Sequence, residues 1–320
     1  MKPLHTARPG PSRLVTYRDK AAWASGIEIG GRLVPLDRLG GDFDHRRLTV
    51  KALLSAGPER TAAACAAARD IVVSGEGLPL DSVELGPPLP DPDKIIGLGL
   101  NYRDHASEIG RDVPEAPTLF AKFRNSLVGP RAPIVLPAVS RQIDYEGELA
   151  VVIGRRCKAV GEQDAMRYIG GYAVLNDVTA RDVQRRTSQW LAGKAIDTFA
   201  PMGPGIVPAF EVPDPQALEL ITRLNGEVVQ QASTSDMIFS VAAAISFIST
   251  IMSLEPGDII ATGTPSGVGS AQSPPRFLAP GDRIEVEIEA IGTIANAVLA
   301  EPDGKRERTA TNSAVGDRVG

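Results

Sequence analysis

Cysteine, histidine and aromatic residues are scarce in this 320-residue chain, and each scarcity closes off a class of chemistry. Cys65 and Cys157 are the only cysteines, so a disulfide framework and a thiolate zinc site both fail by count. Neither thiol has a histidine close by in sequence, which argues against cysteine catalysis and fits a reduced setting. Histidine is limited to His5, His45 and His105. A metal site would therefore be built from oxygen ligands, which selects Mg²⁺ or Mn²⁺, then Ca²⁺, over zinc or copper. No run reaches the ~18 uninterrupted apolar residues of a membrane span. Met1 to Ser12 is polar and lacks the apolar core of an export signal, so the expectation is a cytoplasmic protein with no membrane partner. The 34 basic and 39 acidic residues are well mixed, with no basic stripe, so nucleic acid is not an expected partner.

Glycine and proline are abundant at 32 and 26, which together with few aromatics favours a turn-rich, strand-rich body over a helical bundle. The length allows one large domain or two smaller ones. Residues 13–37 alternate as short strands around a Gly30-Gly31 turn, followed by helical stretches near 49–56 and 58–73. The proline-rich segment 86–92 is a rigid connector, which sets a small N-terminal α+β module (1–90) apart from a main body (91–300). A polar tail, 301–320, is expected to be mobile.

One stretch organises the main body: Asp144-Tyr145-Glu146-Gly147-Glu148, running into the branched apolar run 149–153. That run reads as a buried strand, so Glu146 and Glu148 project from one face, roughly 7 Å apart along it. Two such carboxylates persist if one is protonated, if a cation sits between them, or if both point into water. A second buried strand, 170–175, ends at Asn176-Asp177, where Asp177 either caps a helix beginning at Val178 or serves as a third ligand. Upstream, the strand 94–100 leads to a short helix in which Asp104 is a candidate cap and His105 and Glu108 share a face. The segment 110–117 that follows has the composition of a lid. A further helix is expected over 162–169, and apolar spacing with a serine start predicts another over 235–254. Asn225-Gly226 marks a hairpin. The loop 263–269 lacks a phosphate-binding signature, but its backbone amides and Thr264 can hold a small carboxylate.

These motifs, in this order, resemble the fumarylacetoacetate hydrolase family in its short bacterial, acylpyruvase-like form. The resemblance spans about residues 93–300 and is carried by Gly99-Leu100-Asn101-Tyr102 with His105 and Glu108, by the Asp144–Leu149 stretch, by Asn176–Asp182, by Gly193-Lys194, and by Gly257-Asp258 with the 263–269 loop. It implies an α+β, β-rich fold: a mixed β-sandwich roll with flanking helices, usually a homodimer. It further implies Glu146, Glu148 and Asp177 as ligands of Mg²⁺ or Mn²⁺, and His105, Glu108 and Lys194 as the catalytic set. Tyr102, Arg181, Gln184 and Thr264 would line the pocket of a small 2-oxo acid. The activity placed first is hydrolytic C–C cleavage of an acylpyruvate or similar 1,3-dicarbonyl. Decarboxylation or isomerisation of an oxaloacetate-like or hydroxymuconate-like acid comes second, and a metal-stabilised binding protein without turnover third.

Overall fold

The computed structural model describes residues 10–43, 48–108 and 110–302, so His5, His45 and most of the expected tail lie outside it. The fold is α+β and strand-rich, and two sheets carry it. The larger has 11 strands. From one edge it runs Leu78–Pro79, Arg32–Pro35, Ala22–Ile29, Arg13–Asp19, Ala200–Pro208, Ile169–Asn176, Gly147–Ile153, Ile259–Ala261, Ile95–Gly99 and Thr118–Lys122. Leu127–Val128 adds a short parallel pair on Ala200–Pro208. The second sheet, five-stranded, runs Glu227–Ser233, Glu219–Leu224, Arg283–Ile288, Gly292–Ala300 and Ile134–Leu136. The N-terminal strands continue the large sheet, joined to it where Leu14 pairs with Ile206.

Strand Gly147–Ile153 is buried along its whole length, and alternation explains how. Leu149, Val151 and Ile153 face one core with Leu220, Val286 and Ile294 of the second sheet and with helix Val241–Ile251. Ala150 and Val152 face the other core, under Leu53, Leu54, Ala64 and Ala68 of helices Val50–Ser55 and Pro58–Val73. A strand covered on both faces reads as a continuous apolar run because each face needs its own hydrophobic set. Each fully buried Leu, Ile or Val contributes about 1.5–3 kcal/mol.

Three expected elements differ in extent. The helix predicted over 235–254 is confined to Val241–Ile251 and capped by Ser240, whose hydroxyl accepts from Ala243 N–H. Asn101 intercepts the preceding backbone: its carbonyl takes Ile238 N–H and its side-chain oxygen takes Phe239 N–H. The helix near 162–169 stops at Ala165, passes through a 3-10 turn, and Ile169 already belongs to a strand. Asp104 lies in the first turn of helix Arg103–Glu108 and is not its cap. Among the described residues no helix is long and apolar enough to cross a membrane.

Gly147 packs directly against the second sheet. A Cβ at that position would meet Thr222 Oγ1 at 2.3 Å and Val286 Cγ1 at 3.0 Å. The glycine lets the two flanking glutamates sit at a sheet-to-sheet contact. Gly147→Ala is expected to lower stability by about 1–3 kcal/mol in denaturant unfolding. An unchanged midpoint would contradict this contact.

Candidate metal centre and proton-handling dyad

Register brings the acidic side chains together. Gly147 pairs with Asn176 across the antiparallel strands, so Glu146 and Asp177 are neighbours just beyond the pair. Asp177 N–H donates to Glu146 C=O at 2.8 Å, and Glu146 N–H donates to Asn176 Oδ1 at 3.0 Å. Glu148 lies two residues along the same face. One oxygen from each of Glu146, Glu148 and Asp177 lies within 4.8 Å of the others, and all three residues are buried. Asp177 therefore caps no helix, and both glutamates point inward, away from water.

Charge is nearly, but not fully, balanced around this trio. Lys194 Nζ donates at 2.6 Å to Glu146 Oε2 and at 2.6 Å to Asp177 Oδ2. Lys122 Nζ donates at 2.6 Å to Asp177 Oδ1 and also to the carbonyls of Val178 and Lys194. Arg181 spans two carboxylates, with Nη1 2.6 Å from Glu146 Oε1 and Nε 2.8 Å from Asp144 Oδ2. Asp144, Glu146, Glu148 and Asp177 thus face Lys122, Lys194 and Arg181, which leaves one carboxylate without a cation. That one is Glu148, which accepts a hydrogen bond from the backbone N–H of Gly263 at 2.8 Å. Gly263 holds the left-handed φ of +96° at the end of strand Ile259–Ala261, a conformation that favours glycine.

The protonation equilibria follow this arrangement. Burial pushes the Glu146 carboxyl up, but Lys194 and Arg181 outweigh it and hold it at about 2. Glu148 is driven well above the usual range by burial, then by Asp177 and Glu146. Burial would lower Lys194, yet Asp177 and Glu146 keep it raised, whereas Lys122 is lowered by its complete burial. Withdrawing an unpaired charge from water costs several kcal/mol. A cluster of oxygen donors with one carboxyl left without a cation, and with no histidine or cysteine in it, fits a hard divalent cation.

The remaining expected residues are distributed around a cavity of about 670 Å³. His105, Arg181, Gln184, Lys194 and Thr264 line it with Glu146 and Glu148. His105 Nδ1 lies 3.0 Å from Glu108 Oε2, as the i, i+3 spacing anticipates, and the pair is oriented further because Gly267 N–H donates to Glu108 Oε1 at 2.8 Å. Thr264 Oγ1 accepts from Gln230 Nε2 at 2.8 Å. Tyr102 does not line the cavity: it is buried, and its hydroxyl has no hydrogen-bond partner among the described residues. Sequence reasoning missed Lys122, Asp144 as the second anchor of Arg181, and the aromatic wall of Phe120 and Trp190. Phe120 and Lys122 alternate on one face of strand Thr118–Lys122, the one local signal that pointed to them.

A family model described as "Fumarylacetoacetate (FAA) hydrolase C-terminal" matches residues 94–299. Among curated proteins, the chain is 48% identical over 224 residues to oxaloacetate tautomerase YisK of Bacillus subtilis, covering 68% of this chain and 74% of that one. It is 45% identical over 224 residues to the mitochondrial oxaloacetate tautomerase FAHD2A of Homo sapiens, covering 69% and 71% respectively. Among solved structures, a fumarylacetoacetate hydrolase from the psychrophilic Exiguobacterium antarcticum superposes with a TM-score of 0.76 at 34% identity, over 91% of this chain and 100% of that one. The family match across residues 94–299 and the relatives at 45–48% identity show that the chain belongs to the fumarylacetoacetate hydrolase family.

Proposed function

We propose that the protein is a divalent-metal-dependent tautomerase that interconverts the enol and keto forms of an oxaloacetate-like 2-oxo acid. The observation that carries this reading is a buried acidic trio in a cluster one cation short of balance, sharing a cavity with an oriented His105–Glu108 dyad. The names of the relatives move isomerisation ahead of the hydrolysis that the sequence ranked first.

Glu146, Glu148 and Asp177 would hold Mg²⁺ or Mn²⁺, with Ca²⁺ a weaker fit, and the ion would supply a Lewis acid for a keto oxygen. Glu108 accepts from His105 Nδ1–H, which leaves Nε2 as the nitrogen available to substrate. In the keto-to-enol direction Nε2 takes the proton from the carbon beside the keto group. The C–H electron pair then forms the C=C bond, and the former carbonyl oxygen gains a proton, with Lys194 as the donor. The reverse sequence returns the keto form. Arg181 Nη2, buried and without a partner among the described residues, would receive the acid's carboxylate with Gln184 and Thr264.

Hydrolytic cleavage of an acylpyruvate is the second reading, because the same dyad can take a proton from water and a name among the solved structures is that of a hydrolase. A homodimer is the assembly we propose. The edge strand Thr118–Lys122, followed by exposed Phe123, offers an open face for a second copy.

Loss of the enol absorbance of freshly dissolved enol-oxaloacetate is expected to run faster with protein than in buffer, to stop with EDTA and to return with Mg²⁺. Release of pyruvate and a carboxylic acid from an acylpyruvate, with no enol–keto acceleration, would reverse the ranking. His105→Ala should lower turnover by roughly 10²–10⁴-fold while Mg²⁺ affinity is retained. Full turnover in that variant would remove the dyad from the mechanism.

A further inference from the structure

Gln230 takes no part in the proposed reaction, yet it stands between the central acidic motif and the loop that carries Thr264. It is the one buried residue of strand Glu227–Ser233, an edge of the second sheet. A bulge puts it there. Thr222 pairs with Gln230 and Arg223 with Val228, so Val229 is left over and the alternation of the strand changes phase. Gln230 therefore turns inward opposite buried Thr222, and Val228 turns out to solvent. The same bulge seats the loop. A Cβ on Gly267 would collide with Val229 C=O, and Gly267 holds a φ of +99° that favours glycine.

The amide of Gln230 can sit one way only. Oε1 accepts Gly147 N–H at 3.0 Å, and Nε2 donates to Pro265 C=O at 3.0 Å and to Thr264 Oγ1 at 2.8 Å. A backbone N–H only donates and a backbone carbonyl only accepts, so turning the amide over would set donor against donor and acceptor against acceptor. In a buried site such unpaired groups are costly. Two backbone groups thus fix which end of the amide meets Thr264, and it is the donating end. Among the described residues, Thr264 Oγ1 accepts that N–H and donates to none. Thr264 lines the cavity, so its hydroxyl proton is left for what the cavity holds. An ionised carboxylate accepts hydrogen bonds and offers none.

We infer that Gln230 is a positioning residue that makes Thr264 an obligate hydrogen-bond donor to the carboxylate of a 2-oxo acid. The inference rests on Thr264 receiving that carboxylate, as proposed above. Gln230 does not line the cavity and acts on the ligand through Thr264. Without it the hydroxyl is free to rotate, and a carboxylate must orient it on binding.

The test is a double-mutant cycle read by calorimetric binding of oxalate to the Mg²⁺-loaded protein. Oxalate carries the oxygens of a 2-oxo acid but no carbon that can tautomerise. Gln230→Met keeps the side-chain length and loses the amide. It is expected to weaken oxalate binding about fivefold in the wild-type background, the worth of one neutral hydrogen bond, and by less than about twofold in a Thr264→Val background. With enol-oxaloacetate the single variant is expected to raise KM by about fivefold and leave kcat within about twofold, because ground and transition states share the carboxylate contact. Should Gln230→Met not fold, Gln230→Glu replaces it in the cycle, since it keeps the acceptor for Gly147 N–H and gives up the amide donors. An equal loss in both backgrounds, no loss in either, or a loss confined to kcat would overturn the inference and leave the tautomerase reading standing. No binding of oxalate by the wild-type protein would remove the inference together with the proposed floor. A protein that shows the cycle but does not convert enol-oxaloacetate loses the tautomerase reading alone.

Discussion

Four carboxyl groups and three cationic side chains share one buried floor, and Glu148 is the carboxyl left without a counter-charge. The rest of the structure serves this imbalance. Antiparallel register sets Glu146 beside Asp177, and strand alternation adds Glu148 to the same face. Lys122, Lys194 and Arg181 then fix the orientation of Glu146 and Asp177 from three directions. Removing any one of the cations would leave a buried charge unpaired, which is far more costly than losing a surface ion pair. The arrangement is thus rigid where ligands must converge and open only where Glu148 still lacks a counter-charge.

The side that carries His105 and Glu108 is built differently. His105 and Glu108 stand on a helix of one and a half turns, and their orientation depends on a loop that arrives from far along the chain. Gly267 N–H holds Glu108, Gly267 C=O accepts from Tyr145 Oη at 3.0 Å, and Tyr145 Oη accepts from Gln272 Nε2 at 2.9 Å. Tyr145 is itself the neighbour of Glu146. The acidic floor and the dyad are therefore connected through one residue of the central motif. The same loop also presents Thr264, anchored by Gln230, which in turn accepts Gly147 N–H at 3.0 Å.

Much of the site was legible because its chemistry lies in short motifs at strand ends, where periodicity and turn residues are informative. The acidic pair, the dyad spacing and the Asn225-Gly226 hairpin needed only local reasoning. What escaped depends on partners distant in sequence. Lys122 reads as an ordinary strand-end lysine until the fold brings Asp177 to it, 55 positions away. The start of helix Val241–Ile251 shifted because Asn101 takes the preceding amides, 138 positions from Phe239. Tyr102 sits within a motif that lines the pocket, yet the positive φ of Leu100 (58°) turns the chain and Tyr102 ends up in the core. The order of the candidate reactions was not legible either, since a floor of the kind proposed would serve several 2-oxo acid chemistries.

The most direct measurement is anomalous diffraction from crystals grown with Mn²⁺. A single strong peak bounded by the carboxylates of Glu146, Glu148 and Asp177, lost in a Glu148→Gln variant that still folds, is the predicted result. No peak there, or an ion bound elsewhere while the trio is held by Lys122, Lys194 and Arg181 alone, would contradict the account.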